Sequence, residues 1–213
     1  YVLHAHGANV TIDTVKIEGS TVGNSLATVL GGVTHTGTLK LGTVDYSNAS
    51  GAGTAINVSA YGGNIHVIGS AGNDTITSNT GSDTLTGGNG TDQFVITTQS
   101  QNMTTLTQFH AAKVETITDF KAGPSSAETI QVDAQHTTVT YYAEKTAASA
   151  DAAFTTALAT MSDPTLQSDV VAVQVAGDTY VFVDTAGANH VDQVIHLVGV
   201  SLSDLNFADF VVV

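Results

Sequence analysis

Up to residue 68, apolar and polar residues alternate in short bursts. Val10-Thr11-Ile12, Thr14-Val15-Lys16-Ile17, Thr38-Leu39-Lys40-Leu41, Ile56-Asn57-Val58 and Ile65-His66-Val67-Ile68 each place aliphatic residues at every second position. That is the pattern of a strand with one buried face. Glycine, asparagine and serine separate the bursts, with longer turns at Gly31-Gly32 and from Asn48 to Gly53. The spacing is irregular, so residues 1–68 are expected to form an irregular β-solenoid, with one turn of helix around Leu26 and Leu30.

From Gly69 the spacing becomes regular. Gly69-Ser-Ala-Gly72-Asn-Asp74-Thr-Ile76-Thr, Ser78-Asn-Thr-Gly81-Ser-Asp83-Thr-Leu85-Thr and Gly87-Gly-Asn-Gly90-Thr-Asp92-Gln-Phe94-Val are three units in register, nine residues apart with no gap. Beyond Val95 a polar, linker-like stretch runs through His110. Strands are expected at Val114–Phe120 and Glu128–Val132, then a helix over 146–161 with Phe154, Leu158 and Met161 at helical spacing and Pro164 after its end. Strands resume at 169–175, 179–184 and 193–197. The pattern predicts three regions: 1–68, 69–133 with the regular repeats and a closing segment, and 134–213 with the helix.

Composition narrows the chemistry. The 213 residues carry five Lys plus Arg against nineteen Asp plus Glu, a formal net charge of −14, with no Cys and no Trp. Such a chain repels itself until cations arrive. Nucleic acid and anionic membranes need a basic patch that five scattered cations do not make, so neither is an expected partner. The chain starts at Tyr1 with no basic and apolar leader and no run long enough to span a bilayer. The expectation is a piece of a larger chain, exported without an N-terminal signal.

The nine-residue unit matches Gly-Gly-x-Gly-x-Asp-x-apolar-x and resembles the calcium-binding repeats-in-toxin (RTX) β-rolls. The resemblance implies an all-β fold: a parallel β-roll or β-solenoid with Ca2+ between stacked turns, closed by a C-terminal β-rich cap carrying one α-helix. The glycines let carbonyl oxygens point inward, the aspartate adds a carboxylate, and the apolar residue two places on fills the interior. Two units make one coil of eighteen residues, so Asp74 and Asp92 are expected to face a common ion, with carbonyls near Gly69, Ala71, Gly87 and Asn89. Asp83 lies on the opposite side, its partner coming from Tyr61–Asn64 or from the segment after Ile96. The first two units depart from the pattern at Ser70 and at Ser78-Asn79, and a glycine-like turn would need Asn79 in the left-handed region. Ile117-Thr-Asp119-Phe120 with Glu128-Thr-Ile130 resembles the segment that closes the roll. This implies Asp119 as a further calcium ligand, with Glu128 where the pattern usually carries aspartate.

Other features carry less. The loop from Asp184 to Asp192 has spaced oxygen donors but lacks the glutamate and spacing of an EF-hand, and reads as a plain hairpin loop. His4 and His6 have no third ligand near them and read as part of a terminal segment. No zinc-protease, lipase, phosphate-loop or cysteine-nucleophile motif is present, so no enzyme is expected in these residues. Asp209-Phe-Val-Val-Val resembles the uncleaved C-terminal signal of type I secretion substrates. With Ala55–Ala60 and Val194–Val200, the chain resembles the C-terminal part of a bacterial surface-layer (S-layer) protein. This implies an extracellular, cell-surface location and three partners: copies of itself in a lattice, the type I secretion machinery, and cell-surface polysaccharide through the rest of the parent chain. The export module of a secreted protease or lipase, and the tail of a large adhesin, are the alternatives.

Overall fold

The computed structural model describes residues 10–20, 39–50, 53–97, 99–123, 128–134, 141–166, 168–185 and 190–213. The helical turn around Leu26 and Leu30, the Gly31-Gly32 turn and the His4–His6 pair lie outside the described residues. The chain divides into two compact units, Tyr1–Thr97 and Thr98–Val213. Both are mostly β with parallel strand pairs, and helices are few.

In the first unit, β1 (Val10–Ser20) and β2 (Leu39–Ser50) are longer than the alternating bursts predict. They pair in parallel along their length, so Asn48–Ser50, expected in a turn, is held in a ladder against Glu18–Ser20. After them come strands of three residues each: β3 (Ala55–Asn57), β4 (His66–Ile68), β5 (Thr75–Thr77), β6 (Thr84–Thr86) and β7 (Gln93–Val95). Alternate strands go to alternate sheets. The order β1-β2-β4-β6 forms one parallel face and β3-β5-β7 another. His66 pairs with Thr84 and Thr75 with Gln93, a register of eighteen residues that also recurs in the turn hydrogen bonds. The middle residue of each short strand points inward, and Ile56, Val67, Ile76, Leu85 and Phe94 are all fully buried. A strand this short has no stability alone. Stacked apolar residues supply it, since full burial of one such side chain contributes about 1.5–3 kcal/mol.

The second unit begins with α1 (Leu106–His110), in a stretch that reads as linker. Thr105 and Gln108 cap each other reciprocally at its start, a two-way cap that satisfies the first free N–H groups. Next come β8 (Glu115–Ile117), β9 (Thr129–Val132), β10 (Tyr142–Ala147), α2 (Ala150–Met161), β11 (Val170–Val175), β12 (Asp178–Val183) and β13 (Gln193–Leu197). A 3-10 turn at Phe207–Asp209 leads into β14 (Phe210–Val212). One sheet runs β8-β13-β12-β11-β10, while β14 pairs in parallel with β9. β10 and β11 are parallel and joined through α2, a β-α-β crossover that lays the helix on the sheet. Phe154, Ala157 and Met161 of the helix bury against Val171, Val173 and Phe182. The helix starts at Ala150, capped by Ser149, rather than at residue 146. Thr146 and Ala147 are taken into the ladder with Gln174 and Val175.

Candidate metal centre

Each repeat aspartate stands just before its short strand, and Asp74, Asp83 and Asp92 are almost completely buried at 2%, 1% and 1% exposure. Burying a carboxylate this deeply requires several donors or a cation. One oxygen closes the residue's own turn. Asp74 Oδ2 accepts from Ser70 N at 2.5 Å, and Asp83 Oδ2 accepts from Asn79 N at 2.8 Å. The other oxygen reaches the preceding coil. Asp74 Oδ1 accepts from Thr54 N at 2.6 Å, Asp83 Oδ1 from Ile65 N at 2.9 Å, and Asp92 Oδ1 from Asp74 N at 2.8 Å.

Asp74 and Asp92 therefore stand on successive turns of the same side, eighteen residues apart. The oxygens around them converge where glycine leaves room. A Cβ on Gly69 would collide with the carbonyl of Gly87 and stand 2.7 Å from Asp74 Oδ2. One on Gly88, whose φ is +97°, would collide with the carbonyl of Ser70. The two carboxylates and the main-chain carbonyls of these turns are hard oxygen donors, the type that calcium takes with six to eight ligands at about 2.3–2.6 Å, and both Asp74 oxygens also accept from N–H groups and from Ser70 Oγ. The residues fit that ion. Ala71 and Asn89 sit on the exposed tips of the two turns.

Asp83 lies on the other side, where the turn 78–83 stacks on 60–65. Asn79 does not take the left-handed conformation that a glycine-like turn would need: among the described residues only Asn102 and Ala176 do so without being glycine. Its side chain is tied into the stack instead, donating from Nδ2 to the carbonyls of Tyr61 and Gly63. The hint in the sequence is asparagine in place of the second glycine.

Asp119 and Glu128 belong to the second unit. Asp119 is half-buried in the bend after β8. Glu128 is buried, with Oε2 accepting from Lys121 N at 2.7 Å and Oε1 lying 2.8 Å from the Lys121 ammonium. In the same unit Asp184, His190 and Asp192, spaced along the sequence between β12 and β13, come together. Ligand atoms of Asp184, His190 and Asp192 lie within 4.8 Å of one another. His190 Nδ1 is 3.3 Å from Asp192 Oδ1, and the Asp192 carboxylate also accepts from Asn102 N, Thr185 N and Thr185 Oγ1.

Residues 66–95 match the family model described as the RTX calcium-binding nonapeptide repeat, in four copies. The match starts at β4, three residues before the first of the three nine-residue units, and ends with the third at Val95. No curated protein matches the chain. Repeats of this kind bind Ca2+ and are typical of secreted proteins, so residues 66–95 are a calcium-binding repeat segment.

Proposed function

We propose that the chain is a calcium-dependent structural domain of a secreted bacterial S-layer protein, which folds outside the cell and supports assembly into a lattice. The observation that carries this reading is the pair of buried carboxylates of Asp74 and Asp92, on successive turns lined by main-chain oxygens. In the cytosol, at submicromolar calcium, those carboxylates have no cation between them and the acidic chain resists compaction. Outside, the ion supplies the missing positive charge. With sites binding at ~0.1 mM and calcium at a few millimolar, each ion contributes about 2 kcal/mol by mass action, a useful fraction of the stability of a marginal domain. Asp209–Val213 serves as the export signal for the type I machinery, and the role is structural rather than catalytic. Protomers meet their own copies in the layer, with cell-surface polysaccharide bound through the parent chain.

Titrating Ca2+ into the calcium-stripped 213-residue chain, with far-ultraviolet circular dichroism and electron microscopy of the end point, tests both halves. A cooperative gain of β signal followed by ordered sheets is expected. A β signal without sheets would favour the export module of a secreted protease or lipase, or an adhesin tail. No transition at all would remove the calcium mechanism.

A further inference from the structure

The stacked turns meet on two sides, and the two sides are built differently. On the side of Asp74 and Asp92, the second and fourth residues of the later turn are Gly88 and Gly90, with φ of +97° and +111°. They back onto the carbonyls of Ser70 and Gly72 in the turn before. Neither glycine has a side chain that could donate to those oxygens. On the side of Asp83, the carbonyls at the same places in the earlier turn belong to Tyr61 and Gly63. Asn79 faces them. Its Nδ2 donates to Tyr61 O at 2.9 Å and to Gly63 O at 3.1 Å, and its Oδ1 accepts from Gly81 N. Its own N–H goes to Asp83 Oδ2, and the residue is 1% exposed. A second difference points the same way. The place that Asp74 fills in its turn is filled by Ile65 in the turn 60–65, so this interval holds one carboxylate where the other holds two.

We infer that the Asn79 carboxamide replaces a divalent cation between turns 60–65 and 78–83. Calcium then enters the Asp74–Asp92 interval, while the Asp83 interval is sealed without an ion. The inference rests on the calcium reading above and says where that reading stops. An amide NH2 carries two donors and satisfies two carbonyls, which is part of what an ion does between stacked turns. To admit a cation here, the amide would have to swing away and leave its buried donors unsatisfied. Only one carboxylate would then balance a double charge. The sealed interval also joins its two coils whether or not calcium is present, so it acts as a preformed seam from which the calcium-dependent interval is built.

Native mass spectrometry and calorimetry on the full 213-residue chain count the ions. Asp92→Asn is expected to lose one bound Ca2+ relative to the parent. Asp83→Asn is expected to keep the parent's count, and the double variant Asn79→Gly with Ile65→Asp to gain one. A variant-free measurement accompanies these: in the calcium-saturated parent, the Nδ2 protons of Asn79 should give a slowly exchanging, hydrogen-bonded pair by NMR. Loss of an ion in Asp83→Asn, or a freely exchanging Asn79 amide at saturation, overturns the inference. An unchanged count in Asp92→Asn instead defeats the calcium reading of the Asp74–Asp92 interval, so the two failures are distinguishable.

Discussion

A repeat aspartate has two tasks, since it closes its own turn and reaches the coil before it, and glycine geometry makes room for both. Gly88 shows how little latitude there is, because it combines a φ of +97° with a carbonyl from the neighbouring turn where a Cβ would stand. Gly88→Ala should therefore destabilise the repeats by on the order of 1–3 kcal/mol and weaken calcium binding, read by urea unfolding at fixed calcium. Gly177, which has open space around it, supplies the contrast, and Gly177→Ala should change stability by no more than about 0.5 kcal/mol. Acid sensitivity also localises to single residues. The Gly199 N–H, and then His196, hold the Asp178 carboxyl below its ordinary range. A depressed carboxyl contributes stability that is present above the unfolded value of about 3.9 and is lost as pH falls through the folded value. Scanning calorimetry should show the melting temperature of Asp178→Asn falling less steeply than the parent's below about pH 4.

Periodicity makes strands of three residues legible, and local propensity alone misplaces longer elements. Thr75–Thr77, Thr84–Thr86 and Gln93–Val95 are individually too short to recognise, and the nine-residue recurrence of aspartate and apolar residue marks each one. Near residue 146 the Ala-rich composition favours helix, yet Tyr142–Ala147 pairs residue for residue with Val170–Val175, and a non-local ladder decides the outcome. No pattern within residues 142–147 announces a partner so far along the chain. The capping pair Thr105 and Gln108, by contrast, is a local signal for α1 that stood in the sequence. The helix α2 anchors its unit through Phe154, whose ring stacks on Phe109 at 4.9 Å and meets Phe182 edge-on at 6.3 Å. Phe154→Ala should cost about 3–5 kcal/mol, measured by chemical denaturation of the full chain.

For the molecule as a whole, a net charge of −14 and buried aspartates are the grounds on which the proposed function makes cations part of the folding equilibrium. Site chemistry and bulk screening are separable here. Sodium chloride at about 1 M shortens the Debye length to about 3 Å and relieves surface repulsion, but it supplies no ligand-matched divalent ion. Salt alone should give only partial β signal by circular dichroism, with the remainder appearing on adding millimolar calcium and vanishing with a chelator. The placing of Asp74 with Asp92 was legible because eighteen residues is twice the repeat. Two features were not, because they depend on side-chain reach: the amide of Asn79 bridging two carbonyls, and the Lys121 ammonium meeting buried Glu128. The habit of each aspartate to grip a backbone N–H about one coil earlier has a kinetic corollary. Every new contact closes only a short loop onto a layer already in place, at an entropic penalty that grows slowly with loop length. After a calcium jump the stack should zip up layer by layer outward from the seam that Asn79 already holds, without the lag that forming a first pair of layers would impose.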